Sequence, residues 1–310
     1  MPISRSDQRT GQNMTRTHAT AIILLGATFM SFVGLLMRLI DGADGFQILA
    51  YRSISLAGMV ALVACLRRKV SPLKFLTSLD RNDLFMGMAL SVAFTAYVFA
   101  MLNTSVASAL FILSISPLCA AILAWVWINE RPSKVTLAAM ALAVLGVGVM
   151  VQGGIDLGRT TGNLFAFISA LSFALMLTLA RRSRKPDVLG GTFLGGAFCL
   201  VIGLCCSLII GVGLQVSAYD FWLCLFMGGF TIGIGIAFVT WGTPYVPAAE
   251  VSLLVLLESV LGPVWVWLVV HEAMTPPEMI GGAIVLVSVA TQAVVGPHTG
   301  RPIAPRVNPG

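Results

Sequence analysis

Residues 106–140 read VASALFILSISPLCAAILAWVWINERPSKVTLAAM, and residues 248–282 read AAEVSLLVLLESVLGPVWVWLVVHEAMTPPEMIGG. At an offset of 142 residues, Trp125 falls on Trp267 and Glu130 on Glu272. In both stretches a long apolar run ends at the Glu, and a Pro-containing helix start follows. A repeat of this length is a bundle of helices, far longer than a solenoid unit. If each copy holds an odd number of membrane spans, the second must insert upside down. Inverted repeats of that kind are the usual architecture of secondary transporters.

Working outward, the whole chain fits a membrane. Of its 310 residues 57% are hydrophobic and only 10% charged, and its mean hydropathy is +0.93. A soluble domain needs far more surface charge than that. The reading is an all-α integral membrane protein with spans at about 18–39, 46–66, 83–101, 104–128, 134–152, 161–181, 190–213, 219–242, 248–270 and 277–295. The first apolar run lacks a small-residue cleavage site and reads as a retained span. Residues 1–17 and 296–310 read as polar tails. Thr275-Pro-Pro-Glu278 has capping-box spacing, and Ser71-Pro in the long 67–82 loop marks a short interfacial turn.

The net charge of +6 does not point to nucleic acid, because it is distributed by topology. With the N-terminus inside, 16 of the 19 Lys and Arg fall on inner segments, and the outer loops keep Arg159, Asp41 and Asp44. Ten spans with both termini cytoplasmic divide into two five-helix repeats, 18–152 and 153–295, and five is odd, so the repeats are inverted. The six cysteines lie in apolar spans without CxxC spacing, and the three histidines have no ligand-spaced partner, so no metal, cofactor or disulfide is expected.

The run from Pro117 through thirteen residues to Glu130, repeated around Glu258 and Glu272, resembles the EamA-type transporters of the drug/metabolite transporter superfamily. Tyr51-Arg52 and Gly281-Gly282 are similar to that family's residues in the second and last spans. Ser259 stands where the family's Glu-Pro has Pro, and Pro263, four residues on, is the residue available to break span nine. The resemblance implies a ten-helix carrier in a bacterial inner membrane that exports a small metabolite. It says nothing of which one.

Two ionisable residues lie at membrane depth. Arg52 costs about 2.5–3.5 kcal/mol there on insertion scales, so it must meet a substrate anion or a carboxylate, or snorkel outward to Asp41 or Asp44. Glu258 is the deepest acid, suited to a cationic group or to a coupling proton, and otherwise a packing residue. Glu250 lies two turns away, nearer the rim. Tyr97, Trp241, Ser114, Ser116 and Thr240 are candidates to line a cavity at the repeat interface, with bundle packing as the alternative. One Arg and one Glu suit a zwitterion such as an amino acid. Glu130 and Glu272 read as elbows that tie their turns, and the Gly191/Gly195 and Gly229/Gly233 pairs as close-packing steps. No catalytic constellation or nucleotide loop is present, so an enzyme is not expected; a membrane enzyme or sensor is the alternative class. Proton coupling and a homodimer are both open.

Overall fold

Lipid offers no partners to backbone N–H and C=O groups, so an apolar chain at membrane depth must satisfy them within helices. The computed structural model describes residues 16–129, 133–156, 158–183, 187–246, 251 and 254–295, and these contain helices and no strand. In chain order the helices are α1 (Arg16–Ser31), α2 (Val33–Leu39), α3 (Gly45–Arg68), α4 (Pro72–Thr77), α5 (Arg81–Asn103), α6 (Val106–Leu113), α7 (Ser116–Ile128), α8 (Lys134–Asp156), α9 (Thr160–Ser183), α10 (Leu189–Ile209), α11 (Ala218–Phe226), α12 (Ile234–Gly242), α13 (Leu257–Val270) and α14 (Pro276–Val295). A π-helical segment, Met227–Gly233, joins α11 to α12. Among the described residues, seven helices are long and apolar enough to cross a bilayer, and three shorter apolar ones lie at Lys134–Val149, Leu257–Val270 and Pro276–Thr291.

The element boundaries follow local chemistry. Asp44 caps α3 in a reciprocal capping box with Gln47. Ser71 caps the short α4, whose Phe75 is buried. The Thr275–Glu278 box forms as expected, with the Thr275 amide donating to Glu278 Oε2 at 2.7 Å. Asn129 and His271, at corresponding places in the two copies, both end their helices in the left-handed conformation (φ 62° and 58°). Span seven stops at Ile209, short of the expected 213, because Gly211 and Gly213 turn the chain at φ 82° and 73°.

Three expected spans are interrupted. The first bends at Phe32, between α1 and α2. The fourth breaks at Ser114–Ile115, and Pro117 explains it. Proline has no N–H to return to the Leu113 carbonyl, and the Ser116 hydroxyl donates to that carbonyl instead. In the ninth span the turn falls at Leu256, and Pro263 sits inside α13. The expected break at Pro263 is therefore placed seven residues earlier, at the repeat equivalent of Ser114.

Packing pairs the two copies throughout. α3 lies on α10, and α8 on α14. α1 packs on α12 and α13, while α9 packs on α5, α6 and α7. Exchanging the copies leaves that pattern unchanged. Small residues allow the approach: a Cβ on Gly26 would come within 2.8 Å of the Gly235 carbonyl across α1–α12. Gly191 and Gly195 meet Met86 and Leu90 of α5, so those glycines serve packing.

Candidate functional site

Arg52 is the eighth of the 24 residues of α3 and is 0% exposed. It neither snorkels nor pairs with Asp41 or Asp44. Asp44 caps its own helix, and the Asp41 backbone amide donates to Asp220. The Arg52 Nη2 donates to the Phe94 carbonyl at 3.0 Å, while Nε and Nη1 have no hydrogen-bond partner among the described residues. Its guanidinium lies 5.4 Å from the Phe94 ring centroid and 5.9 Å from that of Tyr97. Cys199 and Cys224 complete its surroundings from α10 and α11. The π-helical segment seats Gly228 directly on the Arg52 backbone, so this rare geometry occurs where the buried cation sits.

Tyr97, on α5, is 9% exposed, and its hydroxyl also lacks a partner among the described residues. It lies within electrostatic reach of both Arg52 and Glu258. Glu258 occupies the first turn of α13, just after the break at Leu256, where a helix N-terminus favours an anion. The break in the first copy adjoins it: the Ser259 hydroxyl donates to the Leu110 carbonyl at 3.4 Å, and Gly262 packs against the Leu110 side chain. Thus the Arg52 guanidinium sits beside Tyr97, Tyr97 feels the charge of Glu258, and Glu258 opens the helix that follows one of two breaks.

The other sequence candidates divide. Ser114 and Ser116 line the first break, but their hydroxyls are engaged by the Phe111 and Leu113 carbonyls. Thr240 donates to the Ile236 carbonyl, and its own carbonyl receives Arg67 at 3.4 Å. Arg67 lies fifteen residues along α3 from Arg52, about 22 Å away along the helix. Thr240 is therefore at one end of the bundle, and its neighbour Trp241 is 52% exposed. Trp125 and Trp267 are both exposed on the helix surface. Glu130 and Glu250 lie outside the described residues.

A second polar group was not anticipated. At the Arg38 end of the bundle, Arg38 Nε meets Glu272 Oε2 at 2.5 Å, and Arg38 also donates to the Met101 and Thr104 carbonyls. Glu272 Oε1 accepts from the Val106 amide at 2.9 Å. Glu272 thus bonds across the bundle and does not tie its own turn as expected. Close by, Glu278 is 3% exposed and accepts from Arg159 at 2.9 Å and from the hydroxyls of Ser105 and Ser108. These bonds join the end of the first span, the turn between α5 and α6 and the start of the second copy to the turn between the last two helices. At the opposite end the described ion pair is Arg68–Asp187, 2.9 Å, which is more exposed.

These features define a multi-pass helical membrane protein built twice on one plan around a buried cation. The chain belongs to the EamA-like transporter family, whose family model matches residues 19–152 and again 160–292. It is a membrane transporter of that family. It is 25% identical over 274 residues to an uncharacterized transporter of Archaeoglobus fulgidus, covering 88% of this chain and 95% of that one. A known crystal structure matches with a TM-score of 0.63 at 19% identity, over 91% of this chain and 98% of that one, which establishes likeness of fold.

Proposed function

We propose that this chain is a secondary transporter of the inner (plasma) membrane that exports a small metabolite, an amino acid or related zwitterion, by alternating access. All ten apolar segments cross the bilayer in this reading, five in each of two inverted repeats, with both termini cytoplasmic. The observation that carries it is Arg52, fully buried with two nitrogens unpartnered, sharing Tyr97 with Glu258 at two interrupted helices. Interrupted helices at the interface of two repeats are where such carriers hold substrate. Arg52 faces the anionic end of the substrate and Glu258 the cationic end. The Arg38–Glu272 and Arg159–Glu278 bonds hold the outer end shut, and rocking one half against the other exchanges that closure for one at the inner end.

The test is flux. Purified protein in liposomes is loaded with a panel of the twenty amino acids, nucleobases and small organic acids, and efflux is followed against empty liposomes. Saturable efflux of one class is expected. A folded protein that moves nothing on the panel would remove the reading.

A further inference from the structure

A guanidinium stays charged at any pH a cell reaches. Buried without a counter-charge, it is among the costliest groups a bundle can hold. Arg52 is in that position. Among the described residues its electrostatic neighbours are Cys199, Tyr97 and Cys224, and no carboxylate is among these. Glu258 reaches Tyr97. The rings of Phe94 and Tyr97 accompany the guanidinium, 5.4 and 5.9 Å from its carbon, but they carry no charge to neutralise it. Arg52 Nε and Nη1 and the Tyr97 hydroxyl are three buried donors on neighbouring side chains, without acceptors among the described residues.

Resting on the transporter reading above, we infer that Arg52 and Tyr97 form a monocarboxylate seat, and that a free carboxylate is the group every substrate of this protein must carry. One cation fixes the charge. A single carboxylate neutralises Arg52, whereas a phosphate dianion leaves a net negative charge at membrane depth, and the described neighbours of Arg52 include no second Lys or Arg. The donors fix the shape, because two guanidinium nitrogens and one hydroxyl serve the two oxygens of a carboxylate with charge-assisted bonds. An amide, with one oxygen and no charge, satisfies neither condition. The amino group of a zwitterion is a separate contact, outside this seat, so masking it leaves the seat usable.

The experiment uses whichever amino acid the flux panel identifies, with three probes built on it: its N-acetyl derivative, its C-terminal amide and its phosphonate analogue. Each competes for efflux by the full-length protein in liposomes. The N-acetyl form is expected to compete within about threefold of the parent. The amide and the phosphonate are expected to be at least about tenfold weaker. Tyr97→Phe, which keeps the ring, is expected to weaken the parent several-fold, and Arg52→Gln at least about tenfold, while the amide changes little in either variant. Competition by the amide or phosphonate equal to the parent overturns the seat and leaves the transporter reading standing. So does undiminished parent affinity in a correctly folded Tyr97→Phe. Absence of flux of every compound overturns both.

Discussion

At the scale of the residue, Gly228 shows how tightly the centre is specified. A Cβ there would collide with the Arg52 carbonyl oxygen and approach Ser55 Oγ at 2.5 Å. Both obstacles belong to α3, and the carbonyl cannot rotate aside. Gly228→Ala is expected to push the π-helical segment off α3, costing about 1–3 kcal/mol and lowering the thermal midpoint in detergent by several degrees. Gly148→Ala is the control. A Cβ on Gly148 meets nothing within 4 Å, and Ala outranks Gly in a helix by about 1 kcal/mol, so that variant should be neutral or slightly more stable. Equal midpoints for the two would show that the packing at Gly228 is slack. The depth of Arg52 was legible in the sequence, since a lone cation among Ala50, Ile54 and Leu56 can be read by eye. Its orphaned nitrogens were not, because they depend on the carbonyl and rings that α5 delivers and on what α10 and α11 place around them.

At the scale of the element, the Arg38 end is a set of helix termini bonded to one another. Arg38 lies one residue from the end of α2, and Arg182 one residue from the end of α9. Arg182 lies at the opposite end of the bundle, and the two copies bond the ends of their first spans differently. Arg38 is ion-paired with Glu272, whereas the Arg182 guanidinium lies over the Trp127 ring at 5.1 Å. Both partners of the Arg38–Glu272 pair are about one-fifth exposed, so solvent screening limits its worth. A double-mutant cycle of Arg38→Ala and Glu272→Ala, read by thermal unfolding, should give a coupling of about 1 kcal/mol. Glu272→Ala alone should cost more than Arg38→Ala alone if the stranded Val106 amide matters. Additivity within about 0.3 kcal/mol would mean the pair contributes nothing. Capping boxes such as Thr275–Glu278 were readable because four consecutive residues carry them. A pair 234 residues apart has no such local signature.

For the whole molecule, apolar length and helix-start signals located the helices to within a few residues, because span length is a local property set by the bilayer. The interruptions were harder. Pro117 explains the first, but Phe32 and Leu256 carry neither Pro nor Gly, and the turn at Leu256 arises where Ser259 stands opposite Pro117 in the repeat. Orientation rests on charge alone: sixteen of nineteen basic residues on one side. That asymmetry makes a definite forecast for labelling. In a background with all six native cysteines replaced, Thr77→Cys, exposed at the end of α4, should resist a membrane-impermeant maleimide in intact cells and react after permeabilisation. Val212→Cys, exposed in the turn after α10, should react in intact cells. The reverse pattern would place Arg38, Glu272 and Glu278 on the cytoplasmic side, and would make their bonds an inner closure in place of an outer one. The same substrate seat would then be sealed from the cytoplasm, the opposite of what an exporter awaiting its cargo requires.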